Sequence, residues 1–114
     1  MKIDQYKFGM IIIDGKLFNK DLIIFPDRIL QNWQRQEGHS LVIEDLKEVI
    51  KFNPNFLIIG TGANGVMQVP DATLQSLLQL KIKVICEITP DACNTFNKLI
   101  SQQEKVAGAF HLTC

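Results

Sequence analysis

The sequence predicts a single α/β domain, a central sheet with helices on both faces and an N-terminal β-ribbon extending or covering one edge of that sheet. Three observations carry this. The first third is strand-like, the apolar spacing from residue 43 onward switches repeatedly between helical and strand periods, and 114 residues leave no room for a second core, so the domain spans 1–114. A composition of 46% hydrophobic and 21% charged residues is that of an ordinary folded domain. Twelve basic and twelve acidic side chains cancel and are dispersed, so neither a nucleic acid nor an anionic membrane surface is an expected partner. Apolar runs such as 10–13 and 22–25 are too short to span a bilayer, and the start Met-Lys-Ile-Asp-Gln has no signal-peptide core. The expected location is cytoplasmic.

The elements follow in order. Ile11-Ile12-Ile13, Asp14-Gly15 and Lys16-Leu17-Phe18 form a hairpin signal, because Asp-Gly accepts the positive backbone angles of a two-residue turn. A strand over 22–25 stops at Pro26-Asp27, and a further extended segment covers 28–33. Residues 34–40 are polar, contain Gly38 and read as a loop. From Ile43 the period is helical, with Ile43, Leu46, Val49 and Ile50 on one face until Asn53-Pro54 ends it. Then come a strand over 56–59, a glycine-rich turn, a helix near 71–80 with Leu74, Leu77 and Leu78 inward, and a strand over 82–88. Thr89-Pro90-Asp91 supplies an N-cap, a first-turn proline and a first-turn acid for a helix that buries Phe96, Leu99 and Ile100. A strand from about 105 to 112 closes the chain, and the periodicity leaves the strand order open.

The stretch Gly60-Thr61-Gly62-Ala63-Asn64-Gly65 is the strongest candidate for chemistry. Its glycine spacing matches the dinucleotide-binding fingerprint, in which main-chain N–H groups approach a phosphate. That fingerprint needs its third glycine to open a helix, yet Val66-Met67-Gln68-Val69 follow Gly65 and no helix begins before Pro70. Asp71 would also repel an anion at that helix start. A tight strand-to-loop turn is therefore preferred over a cofactor site, and no cofactor is expected. The candidate ligand-binding set is Gly60, Thr61, Gly62, Asn64 and Gly65, with Arg35 and His39 as the candidate cations for a small anionic ligand.

Other reactive residues are few. Cys86, Cys93 and Cys114 have neither CxxC spacing nor an even count, which suits a reducing compartment and gives no zinc motif. Cys86 reads as a small buried hydrophobe, Cys93 as either a helix-start thiolate or a thiol packed with Phe96 and Ile100, and Cys114 as accessible. His39 reads as a loop residue and His111 as a satisfied strand histidine, because spacing gives no sign that they converge with a carboxylate. No catalytic residue or metal site is expected.

Three segments carry a resemblance: Gly60-Thr61-Gly62 after its apolar strand, Thr89-Pro90-Asp91-Ala92-Cys93-Asn94-Thr95-Phe96-Asn97, and Val106-Ala107-Gly108-Ala109-Phe110-His111-Leu112-Thr113-Cys114. Together with the Trp33 to His39 loop they resemble a small domain-of-unknown-function family that includes the adipogenesis-associated domain protein of animals and mitochondrial complex I assembly factor 3. The resemblance covers nearly the whole chain. It implies a three-layer α/β/α sandwich with a mixed central sheet, and roles in protein contacts rather than turnover. The N-terminal residues do not resemble a mitochondrial presequence, so the assembly role is not expected to transfer directly. The functional expectation is a non-enzymatic, protein-binding interaction or assembly-support domain, with a small anionic-ligand binder or enzyme at the glycine loop as the alternative.

Overall fold

The computed structural model describes residues 1–114. Its elements run β1 (Ile3–Lys7), β2 (Met10–Ile13), β3 (Lys16–Phe18), β4 (Leu22–Ile24), β5 (Ile29–Leu30), a 3₁₀ turn (Ile43–Leu46), α1 (Lys47–Phe52), β6 (Phe56–Thr61), α2 (Asp71–Gln79), β7 (Lys83–Glu87), α3 (Thr89–Ser101) and β8 (Val106–His111). The main sheet has the order β5-β4-β8-β6-β7 and is mixed: β6 is parallel to β7 and β8, whereas β4 is antiparallel to β5 and β8. Strands β1 to β3 form a separate antiparallel sheet. The α/β sandwich with an N-terminal β-ribbon is thus the observed architecture.

Two apolar clusters lie on the two faces of the main sheet. One joins Leu46, Val49 and Leu77 to Leu57, Ile59 and Ala109, so the 3₁₀ turn, α1 and α2 share a layer. The other joins Ala92, Cys93 and Phe96 of α3, and Ile3, Ile11 and Ile13 of the small sheet, to Ile24, Ile58 and Phe110. The ribbon therefore packs on a face beside α3, where the sequence suggested an edge. The reason is its pleat: Ile11 and Ile13 alternate onto one fully buried side. Strand β8, buried at all six residues, runs through the middle of both clusters.

Local chemistry explains most boundaries. The β2–β3 turn has φ of 49° at Asp14 and 80° at Gly15, as a two-residue hairpin with this twist requires. Asn53 ends α1 in the left-handed region, φ 54°, and its N–H bonds the Ile50 and Val49 carbonyls. Other expectations are corrected. The extended segment at 28–33 is ordered as strand only over Ile29–Leu30, and the helix expected from Ile43 makes its first turn as 3₁₀. Strand β6 continues through Gly60 and Thr61, so the turn begins at Gly62. Leu78, expected inward on α2, is 64% exposed, whereas Leu77 fills the core.

Asn97 on α3 docks the N-terminal strand. Its Oδ1 accepts the Ile3 N–H at 2.9 Å and its Nδ2 donates to the Ile3 carbonyl at 2.8 Å. Asn97→Ala removes both bonds at once and is expected to cost about 1–2 kcal/mol. Hydrogen exchange should show loss of protection concentrated in β1, and unchanged protection there would refute the docking role.

Candidate functional site

The sheet topology singles out one location. The connection from β6 enters α2 on one face and the connection from β7 enters α3 on the other, so the C-terminal end of β6 is a switch point, where α/β sheets commonly hold ligands. Gly62, at φ +109°, turns the chain there. The loop N–H groups are already engaged: Ala63 donates to the Thr113 carbonyl at 2.8 Å, and Asn64 and Val66 donate to the Cys114 carbonyl at 3.1 and 3.2 Å. Residues 113–114 thus lie where a phosphate would have to sit.

Gly60 and Thr61 have different roles from the turn glycines. A Cβ at Gly60 would stand 2.8 Å from the Phe110 ring and 2.9 Å from Thr89 Oγ1, so that strand position needs glycine for close approach. Thr61 donates its hydroxyl to the Glu87 carbonyl at 3.1 Å, tying β6 to β7.

Thr89 corrects another expectation. Ile88 precedes α3 as its cap residue, and Thr89 turns inward instead of capping. Its buried Oγ1 accepts the Gly62 N–H at 2.8 Å and donates to the His111 carbonyl at 2.6 Å, joining the glycine turn, α3 and β8. Thr89→Ala would orphan a buried donor and a buried acceptor. The expected loss is about 2–3 kcal/mol, more than an N-cap is worth, with Thr89→Ser recovering most of it in urea titrations.

Beside this turn lies a polar cluster that the sequence did not disclose as a unit. The antiparallel register pairs Leu22 with Phe110, which brings Asp21 alongside His111. Asp21 Oδ2 lies 2.8 Å from His111 Nδ1, and Oδ1 accepts the Leu112 N–H at 2.8 Å. Arg35 Nη1 forms an ion pair with Asp21 Oδ2 at 2.8 Å, and Arg35 Nη2 donates to the Gly38 carbonyl at 2.9 Å. The Arg35 guanidinium also lies 4.9 Å from the Trp33 ring centre. The exposed His39 ring meets His111 edge-on, with centroids 5.8 Å apart, and its carbonyl accepts the Gln68 N–H at 2.7 Å. Arg35, His39 and His111 therefore do converge with a carboxylate. Burial alone would raise the Asp21 carboxyl, but hydrogen bonds from His111, the Leu112 N–H and Arg35 outweigh it and hold it below the usual range.

His111 Nδ1 has two neighbours, Asp21 Oδ2 at 2.8 Å and Arg35 Nη2 at 3.2 Å. We assign the proton to Nδ1, facing the carboxylate, because that contact is the shorter one and charge-assisted, and Arg35 Nη2 already donates to the Gly38 carbonyl. Nε2 is then a buried lone pair without a partner. An Asp-His pair can serve a general base, but a base must reach a substrate proton. None of the four surface cavities is lined by Asp21, Arg35, His39, His111 or residues 60–65. What the cluster does is pin β4, the 31–42 loop and β8 together at one end of the sheet.

The cysteines divide differently from the expectation. Cys86 is exposed on β7, because β7 is an edge strand with solvent beyond it. Cys93 is the packed thiol: it lies in the α3 core cluster, and burial pushes its pKa up to about 12.

This arrangement, a mixed five-stranded sheet with its switch point filled by residues 113–114, defines an α/β domain of a known structural type. The chain belongs to the family described as protein of unknown function DUF498/DUF598, whose model matches residues 3–111. Its fold is similar to that of a conserved hypothetical protein from Pyrococcus horikoshii, with 26% identity, full coverage of both chains and a TM-score of 0.84. A protein of Bartonella henselae described as an outer membrane protein is 24% identical, with a TM-score of 0.83 and coverage of 98% of this chain and 94% of that one. A Bordetella pertussis protein described as an Mth938-like domain is 17% identical, with a TM-score of 0.79 and coverage of 97% and 85%. No helix of this chain is long and apolar enough to cross a membrane.

Proposed function

We propose that this chain is a cytoplasmic, non-enzymatic interaction domain that binds a protein partner at the C-terminal end of its parallel strands. The carrying observation is that three exposed apolar residues belong to segments meeting at this end of the sheet. The Leu112 carbonyl accepts the N–H of Gly9, the neighbour of Phe8; the Cys114 carbonyl accepts the Val66 N–H; and a Cβ on Gly65, in the same turn, would lie 3.2 Å from Ile88. Phe8 is 62% exposed, Val66 40% and Ile88 40%. Exposed apolar side chains on these segments suit a macromolecular contact, whereas engaged amides and an Arg35 already paired with Asp21 do not suit an anion. The resemblance to the adipogenesis-associated protein and to the complex I assembly factor supports the same assignment.

Affinity capture with the tagged full chain, alongside thermal shifts with inorganic phosphate and nucleotides, tests this. Wild type should retain a discrete partner, Phe8→Asp and Val66→Asp should lose it without a change in thermal midpoint, and the anions should not raise the midpoint. A midpoint that climbs with phosphate or nucleotide, with capture indifferent to both variants, would instead support a ligand site formed by Gly60 to Gly65 with Arg35 and His39.

A further inference from the structure

Strand β7 is an open edge of the main sheet, and its main-chain direction is fixed at both ends. The Lys83 N–H donates to the Asn55 carbonyl at 3.0 Å and the Glu87 carbonyl accepts the Thr61 hydroxyl at 3.1 Å, so Lys83, Ile85 and Glu87 turn their backbone groups toward β6. By alternation, the N–H and C=O groups of Val84 and Cys86 point outward. Such an edge invites pairing by any extended chain unless its side chains discriminate.

The side chains of β7 do discriminate. Ile85 packs in the cluster on the α3 side, Glu87 accepts the Thr95 hydroxyl of α3 at 2.6 Å, and Lys83 Nζ lies 5.3 Å from the centre of the Phe56 ring of that cluster. Base and acid therefore occupy one face, two residues either side of Ile85. Read backwards, Lys83-Val84-Ile85-Cys86-Glu87 is its own charge complement.

We infer that β7 pairs antiparallel with β7 of a second copy of this chain, about a two-fold axis through Ile85. In that register Val84 and Cys86 of opposite copies exchange their outward N–H and C=O groups, Ile85 meets its equivalent, and Lys83 faces Glu87 at both ends. Moving the axis to Val84 or Cys86 sets Lys83 against Ile85 or Thr89 and separates it from the acid. The flanking helix fits the same partner. Thr73 donates its hydroxyl to the Leu41 carbonyl, which turns that side of α2 toward the 31–42 loop. Leu78, about 140° further round the helix, is exposed, and the dimer would use it as an apolar margin of the interface.

Sedimentation velocity on the full chain tests the inference. Wild type should self-associate at high micromolar concentration. Lys83→Glu, which removes no hydrogen bond, sets acid against acid at both ends and should weaken the dimer about tenfold. Glu87→Lys should do the same, and the double swap should restore association. Because Glu87→Lys also strips Thr95 of its acceptor, thermal midpoints are recorded for every variant. Val84→Pro, which removes an outward N–H at a position edge strands tolerate, should abolish the dimer in a folded protein. A wild type that stays monomeric, a dimer indifferent to Lys83→Glu, or a folded double swap that fails to re-associate would each overturn the inference.

Discussion

Gly62→Ala is expected to destabilise the domain by about 3 kcal/mol, by adding a side chain at φ +109° and driving it into residues 113–114. A Cβ there would collide with the Cys114 carbonyl carbon and lie 2.7 Å from the Thr113 oxygen, and both atoms are backbone, which cannot rotate away. Two controls separate the terms. Gly15 has φ +80° with nothing within 4 Å of its would-be Cβ, so Gly15→Ala should show conformational strain alone, about 1 kcal/mol. Gly38 has open space and no positive φ, and Gly38→Ala should be neutral to within about 0.5 kcal/mol. Urea unfolding of the three variants gives the ranking, and equal costs for Gly62 and Gly15 would mean that the contact with 113–114 contributes nothing.

Asp21→Ala is expected to cost about 3 kcal/mol, since it leaves the buried Arg35 guanidinium without its counter-charge and frees the Leu112 N–H. The same carboxylate predicts a pH dependence. Its folded pKa lies below the unfolded value of about 3.9, so its stabilising contribution is complete above that value and is lost as pH falls through the lower folded one. Stability measured from pH 6 to pH 2 should fall less steeply in Asp21→Ala than in wild type. Parallel curves would show that Asp21 is not held below its ordinary value.

What could be read in advance was whatever depends on near neighbours in the chain. The Asp14-Gly15 turn, the Asn53 stop and the alternation of strand and helix from residue 56 are local, and each is where its residues place it. The misreadings share a different cause. Cys86 and Leu78 are apolar positions that local periodicity reads as inward; Cys86 lies on β7, beyond which this chain places no further strand, and Leu78 lies on a side of α2 that nothing in the chain covers. Thr89 follows the N-cap pattern, but Gly62 and His111, both far away in sequence, claim its hydroxyl. Asp21 is silent in the sequence because a lone acid before a strand looks like surface. Only the pairing of β4 with β8, across nearly ninety residues, makes it the partner of His111. Arg35 and His39 are candidates on residue type alone, and the loop that carries them is positioned by Asp45, which accepts the Gln36 and Val42 N–H groups.

The position of β8 has a consequence for biosynthesis. The strand at the middle of the sheet is the one translated after all its neighbours, with β4 on one side and β6 on the other. A nascent chain that has emerged only as far as α3 holds two unconnected pieces, the β4–β5 hairpin and the β6–β7 pair, each with an apolar edge awaiting the same insertion. Long-range pairing of this kind is slow, and exposed strand edges are where aggregation starts. Pauses in translation before residue 106 should therefore be the interval in which this protein depends most on chaperones.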